Sequence, residues 1–297
     1  MLRRTKTAQA SNLLAYLLWA SAAIFFHQLT HIALFDLLSL RIVLATLMCL
    51  VLVTLMGQQS ALLALLRARF KLIALSALLI ASNWLLVISS ISSEQLNSAS
   101  LGYYLAPVLT LLLLKLVNRE GLQLKEYACL SLCLCGVLLY IKMQAYAALP
   151  WQGLIIALTF ALYVVLRRYL QEPAVVVLAA EHVCAALPAL LYLAWSHYTA
   201  SGSGLSHQLQ QGDIVKLCIL GVVTTLPLLL YNFSVKHLSS AFVSLSQYLN
   251  PTLMLLIAVL LFKEVVMAGQ WLGLAFIWGG IAVYFVLAQR AQTQHAV

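Results

Sequence analysis

Few residues in this chain can do chemistry, and they stand among apolar neighbours. Glu181-His182 interrupts AVVVLAAEHVCAALPALLYL, and Arg41 interrupts DLLSLRIVLATLMCLVLV. An ionisable side chain within such a run is costly to place and is by default a functional candidate. A carboxylate at Glu181 can bind an amine or carry a coupling proton; its structural alternative is a buried hydrogen bond. A guanidinium at Arg41 can bind an anionic group; its alternatives are snorkelling or an ion pair with Asp36 of the same segment. Asn83-Trp84 and Tyr231-Asn232 each set an aromatic face beside an amide, chemistry that suits a small amphipathic solute.

A second set is carried by two related stretches, SASLGYYLAP (Ser98 to Pro107) and SLSQYLNPTL (Ser244 to Leu253). Ser100, Tyr103, Tyr104 and Pro107 sit at i, i+3, i+4 and i+7, which is one helical face. Ser244, Gln247, Tyr248 and Pro251 repeat that spacing, with Asn250 before the proline. Each proline removes an N–H donor, so Pro107 and Pro251 are expected to kink their helices and to free the carbonyls of Tyr103 and Gln247. Packing of the tyrosines between helices is the plainer reading of any single position. Lys115 is expected to snorkel, and Trp151 and Trp271 to anchor at the interface.

The elements that must position these groups follow from composition. The 297 residues are 64% hydrophobic and 8% charged, with mean hydropathy +0.99, far from the roughly 25% charge of a soluble domain. Apolar stretches of about 20 residues recur along the chain, matching a hydrocarbon core about 30 Å thick. The pattern predicts an all-α membrane protein of ten transmembrane helices, near 11–30, 34–56, 70–90, 97–117, 126–143, 152–168, 173–195, 214–234, 240–262 and 268–288. The longest connection, HYTASGSGLSHQLQQGD, is expected to lack structure. Most of the 17 lysines and arginines then collect on the N-terminal side of the membrane, and only Lys142, Lys216 and Lys263 on the other. Such a bias predicts both termini in the cytoplasm. It also explains the net charge of +9 without a nucleic-acid partner.

Sliding the chain by 144 residues places Ser100, Tyr104, Pro107, Glu120, Gly136 and Tyr140 on Ser244, Tyr248, Pro251, Glu264, Gly280 and Tyr284 without a gap. The expected organisation is therefore two five-helix repeats, 1–145 and 146–297. An odd number of spans inverts the second copy, and inverted repeats are a transporter signature with the substrate site between the halves. Glu120 and Glu264 are expected in surface pairs beside Arg119 and Lys263. The six cysteines all lie in apolar stretches, and Cys129, Cys133 and Cys135 read as packed thiols. No metal, cofactor or disulfide framework is expected.

Together NWLL (Asn83 to Leu86), SASLGYYLAP, LTFALYVVLRR (Leu158 to Arg168), GVVTTLPLLLYN (Gly221 to Asn232) and SLSQYLNPTL resemble RarD-type permeases of the EamA group, in the drug/metabolite transporter superfamily. The resemblance covers nearly the whole chain. It implies a ten-helix inverted-repeat fold with a central cavity lined by helices one to four and six to nine. It further implies roles for residues like Arg41, Glu181 and Pro188, and it brings Trp19 and Tyr163 into the candidate site. The chain departs from the pattern at Ala20 and Ala23, where a glycine and a proline are usual, and at Ala106, where asparagine is usual. The halves would then serve the site unequally.

These readings converge on an inner-membrane permease and not an enzyme. Its partners would be a small organic solute, the bilayer and, through Glu181, protons; the oligomeric state is left open. Export is the direction the superfamily implies by analogy. No GxxxxGK[ST] loop is present to couple transport to nucleotide hydrolysis. The alternatives are a channel, and a membrane enzyme for which the Glu181-His182 pair alone offers little machinery.

Overall fold

Apolar runs that cannot reach water must satisfy their own backbone, and helices do this within one segment. The computed structural model describes residues 2–92, 96–143, 151–199, 205–261 and 268–294, which contain helices and no strand. The helices are α1 (Leu2–Gln28), α2 (Leu34–Leu55), α3 (Gln59–Ser92), α4 (Leu96–Asn118), α5 (Leu124–Lys142), α6 (Trp151–Tyr169), α7 (Ala174–Thr199), α8 (Leu205–Gln208), α9 (Asp213–His237), α10 (Ser240–Ser246), α11 (Leu249–Leu260) and α12 (Ala268–Gln294). Among the described residues, α1, α2, α3, α6, α7 and α9 are long and apolar enough to cross a membrane. Shorter apolar stretches lie in α4, Gly102–Asn118, and in α12, Ala268–Tyr284.

Every expected span coincides with helix, and three differ from expectation in an instructive way. The first begins at Leu2, because the polar stretch before the apolar run contains no breaker. The third is preceded by a further stretch of helix from Gln59, and the bend between the two is at Arg69, whose φ of −132° and ψ of 29° are not helical. The ninth is two helices, α10 and α11, divided at Gln247-Tyr248. Pro251 cannot donate to Gln247, so the Gln247 carbonyl takes the Asn250 N–H instead, at 3.2 Å. Gln247 and Tyr248 likewise donate three residues back, to Ser244 and Leu245. These are tighter 3₁₀-type turns, and they correct the expectation of a freed carbonyl at Gln247. In contrast, α4 runs through Pro107 as one helix.

The long connection also differs from expectation. Its α8 turn is held by Gln208, whose side-chain oxygen accepts from Ala33 N at 2.7 Å and whose amide donates to Asp36 at 3.1 Å. The segment 200–204 lies outside the described residues, as do Lys263 and Glu264.

Compactness divides the chain into Met1–Leu96 with Leu162–Leu238, and Asn97–Ala161 with Ser239–Val297. In the first unit α1 packs antiparallel to α9, α2 antiparallel to α7, and α3 against α7. Asn12 donates to Ser234 at 2.9 Å across the first of these pairs, and Ser196 to Asp36 at 3.3 Å across the second.

In the second unit α5 and α12 form the main pairing. Lipid is as apolar as leucine, so helices in a membrane associate through close packing, and small residues let backbones approach. A Cβ on Gly136 would meet the Gly273 carbonyl at 2.5 Å, and one on Gly280 would meet the Cys129 carbonyl at 2.9 Å. Cys133, midway between these contacts, reaches the Ile277 carbonyl at 3.7 Å. The crossing is thus antiparallel, and its two ends exchange positions that the sequence alignment makes equivalent.

Candidate functional site

The helical period separates Glu181 from His182. Glu181 faces α3 and α6, whereas His182 faces α2 and α3. Both are buried, at 1% and 2% exposure. Ser76 Oγ donates to Glu181 Oε1 at 2.5 Å. The Tyr163 hydroxyl lies 3.4 Å from Oε2 and accepts from Asn232 Nδ2 at 3.3 Å. The counter-charge is Arg167, whose Nη1 is 3.4 Å from Oε1, both side chains being 1% exposed. The three guanidinium nitrogens make no hydrogen bond among the described residues, so the ion pair carries their compensation.

Arg167 is one of the basic residues counted on the N-terminal side of the membrane, and its side chain is buried instead of facing solvent. Arg168 does reach a helix end, donating to the Leu238 carbonyl at 3.0 Å. Arg167 points inward because it lies four residues after Tyr163, on the face that meets α7. That spacing was the available signal: a carboxylate this deep needs a partner, and Tyr163 to Arg167 offers one helical turn from the same segment.

Arg41 is also buried, and it does not pair with Asp36, which is held by Ser196 and Gln208. Its guanidinium lies 4.2 Å from the Trp84 ring and 5.1 Å from the Phe26 ring, with Nε donating to Thr224 at 2.9 Å. A cation between aromatic faces is stabilised by their quadrupoles. Trp84 is buried by this contact and by His182, 5.8 Å away. The His182 Nδ1–H donates to the Leu178 carbonyl at 2.9 Å, and its Nε2 is buried without a hydrogen-bond partner among the described residues. Trp19 packs at a tilt against Tyr231, centroids 5.3 Å apart, and against Tyr16 at 5.6 Å. Asn83 is buried nearby in sequence, on α3. The first unit thus gathers Trp19, Arg41, Asn83, Trp84, Tyr163, Glu181, Tyr231 and Asn232.

The remaining candidates belong to the second unit. Tyr103 is half-buried, whereas Tyr104 and Tyr248 enter the hydrophobic core with Tyr140, Cys133, Leu274 and Ile277. The packing alternative therefore describes both tyrosines. Gln247 accepts from Thr110 at 3.2 Å. Ser244 Oγ and Asn250 Oδ1 are buried without a hydrogen-bond partner among the described residues. The side chain of Ser100 lies outside the described ones. Lys115 does not snorkel: it pairs with Glu120 and Glu126, each at 3.1 Å, with its side chain 10% exposed.

Helices of this length and apolarity, with charged and aromatic side chains buried between them, define a multi-pass membrane protein. The EamA-like transporter family matches residues 9–142 and again 150–286, and the chain belongs to that family. It is 31% identical over 93% of its length to a protein of Vibrio cholerae described as an uncharacterized transporter, covering 91% of that protein. It is 29% identical to Protein RarD of Salmonella typhi, with 98% of each chain covered. Protein RarD of Escherichia coli is 28% identical, covering 98% of this chain and 97% of its own. A solved crystal structure superposes with a TM-score of 0.73 at 19% identity, over 96% of this chain and 99% of that one, a likeness of fold. The protein is accordingly a RarD-type membrane transporter of the drug/metabolite kind.

Proposed function

We propose that the protein is a secondary permease of the inner membrane, moving a small organic metabolite or drug-like solute outward by alternating access. Its two five-helix repeats, 1–145 and 146–297, are inverted, with both termini in the cytoplasm. The double family match and the antiparallel α5–α12 crossing support the repeat. In the first unit the candidate solute contacts are Trp19, Arg41, Asn83, Trp84, Tyr163, Glu181, Tyr231 and Asn232; in the second they are Tyr103, Tyr104, Gln247, Tyr248 and Asn250 of the duplicated motif.

The observation that carries the coupling is the buried Glu181–Arg167 pair. When Glu181 is ionised the pair is neutral. When Glu181 takes a proton, Arg167 keeps its charge and loses its only described counter-ion. A change of that size inside a protein favours a different arrangement of the side chains around the pair, which is how a proton would bias one access state over another. Counterflow and saturation in proteoliposomes would separate such a carrier from a channel. Glu181→Gln is expected to abolish the effect of an imposed pH gradient on uptake while counterflow persists. Unchanged gradient dependence in that variant rejects Glu181 as the proton carrier.

A further inference from the structure

Helices α2, α3 and α7 do not close on one another along their whole length. Between them, within the first unit, lies a crevice of about 780 Å³, within the range of small-molecule sites. Alanines make the room: Ala74, Ala77 and Ala81 on α3 face Ala185 and Ala189 on α7. Leu38, Ile42 and Ala77 are buried at its floor, whereas Phe35, Phe70, Leu78 and Leu187 at its rim have half or more of their surface exposed. None of the residues assigned above to solute or proton lines it.

In a membrane-spanning chain an exposed apolar rim meets hydrocarbon. A crevice lined this way offers water almost no partners, so what enters is an apolar chain from the bilayer. From Leu66 to Ala81 the lining follows α3 for ~22 Å of helix axis, longer than the ~15 Å depth of one leaflet's hydrocarbon. Charge marks which end receives a head group. The Leu66–Phe70 end lies where α3 bends at Arg69, and Arg67, Arg69 and Lys71 are all exposed there. Arg69 is occupied, donating to the Tyr169 carbonyl at 3.0 Å with Glu172 4.0 Å away. Arg67 and Lys71, each one residue beyond a lining side chain, make no hydrogen bond or ion pair among the described residues. The other end, near Phe35 and Tyr192, carries the acidic Asp36.

We propose that this crevice seats an acyl chain of an anionic phospholipid whose phosphate lies against Arg67 and Lys71. The seat adjoins the coupling pair, since Ala77 follows Ser76 and Val183 lies two residues beyond Glu181. It rests only on the chain being in a membrane, so its test is independent of the transport reading.

The test is thermal unfolding of the purified full chain in a neutral detergent, titrated with phosphatidylglycerol, phosphatidylcholine, glycerol phosphate or oleate. Phosphatidylglycerol is expected to raise Tm by about 5 °C, as saturating ligand does for a protein of this size. Phosphatidylcholine should need about tenfold more for the same shift. The double variant Arg67→Gln/Lys71→Gln, altered only at exposed positions, should lose that preference. Ala74→Phe, which fills the crevice from a half-buried position, should weaken both lipids; Ala81→Met serves if it does not fold. Equal shifts from the two lipids, a preference retained by the glutamine variant, or a full shift from oleate or glycerol phosphate alone each overturn the proposal.

Discussion

Replacing Arg167 by methionine removes the positive half of a pair in which both side chains are 1% exposed. At 3.4 Å, the attraction is about 5 kcal/mol for an effective dielectric of about 20. Measured losses from orphaning one member of a buried pair are about 3–5 kcal/mol, so the two routes agree. Ser76 and Tyr163 still hold Glu181 in the variant, which places the expected loss toward the lower end, about 3 kcal/mol. For a chain of this size that lowers Tm by on the order of 10 °C. Glu181→Gln should cost a similar amount, because Arg167 then has no described counter-ion. The double variant Arg167→Met/Glu181→Gln removes both charges, and replacing a whole buried pair is often neutral. Its Tm should therefore lie well above either single variant. Tryptophan fluorescence of the four proteins in one detergent reads the cycle, and the shortfall from additivity is the pair's coupling. If the two single losses simply add, the charges are not coupled and the argument for a switchable pair fails. The same double variant should have lost its response to a pH gradient, which separates coupling from stability.

Three further outcomes follow from geometry. Gly136→Ala sets a methyl against the Gly273 carbonyl at 2.5 Å and should cost about 1–3 kcal/mol as an overpacked contact; Gly279→Ala, with nothing within 4 Å, is the neutral control, and equal melting of the two would refute the crossing. Lys115→Met leaves Glu126, itself buried, without its counter-ion, so it should lower Tm, and adding Glu126→Gln should restore much of the loss. Tyr231→Ala removes the ring against which Trp19 packs and is expected to raise KM for solute about tenfold with Tyr231→Phe near wild type; a Tyr231→Ala variant with unchanged KM takes this aromatic pair out of the solute site.

Much of the architecture was legible because lipid allows few solutions. Long apolar runs must be helical, and the expected spans accordingly coincide with helix among the described residues. What could not be read is which neighbour each helix face meets. Tyr104 and Tyr248 share a polar-looking stripe with Tyr103 and Gln247, yet their rings fill the core. Arg167 and Arg168 are chemically alike and adjacent, and only the rotation of α6 decides that one faces Glu181 and the other a helix end. The break at Gln247 was signalled by Pro251, but its hydrogen-bond solution was not. The same proline in α4 leaves the helix whole, so the residue type alone does not determine the outcome.

Two buried ion networks make a further distinction possible. Lys115 and Glu126 sit at the turn between α4 and α5, where Glu120, 47% exposed, opens the network to solvent. Such a cluster ties two helix ends together, and a change of charge there is screened. Glu181 and Arg167 have no exposed member, and an apolar pair of the same volume would fill the space at no cost in stability. Stability therefore gives no reason for this pair. The proposed proton coupling would supply one, because a neutral pair that becomes a lone cation on gaining one proton undergoes a large, local and reversible change. Of the two buried ion networks described, the Glu181–Arg167 pair is thus the one in which a change of charge is not screened by solvent.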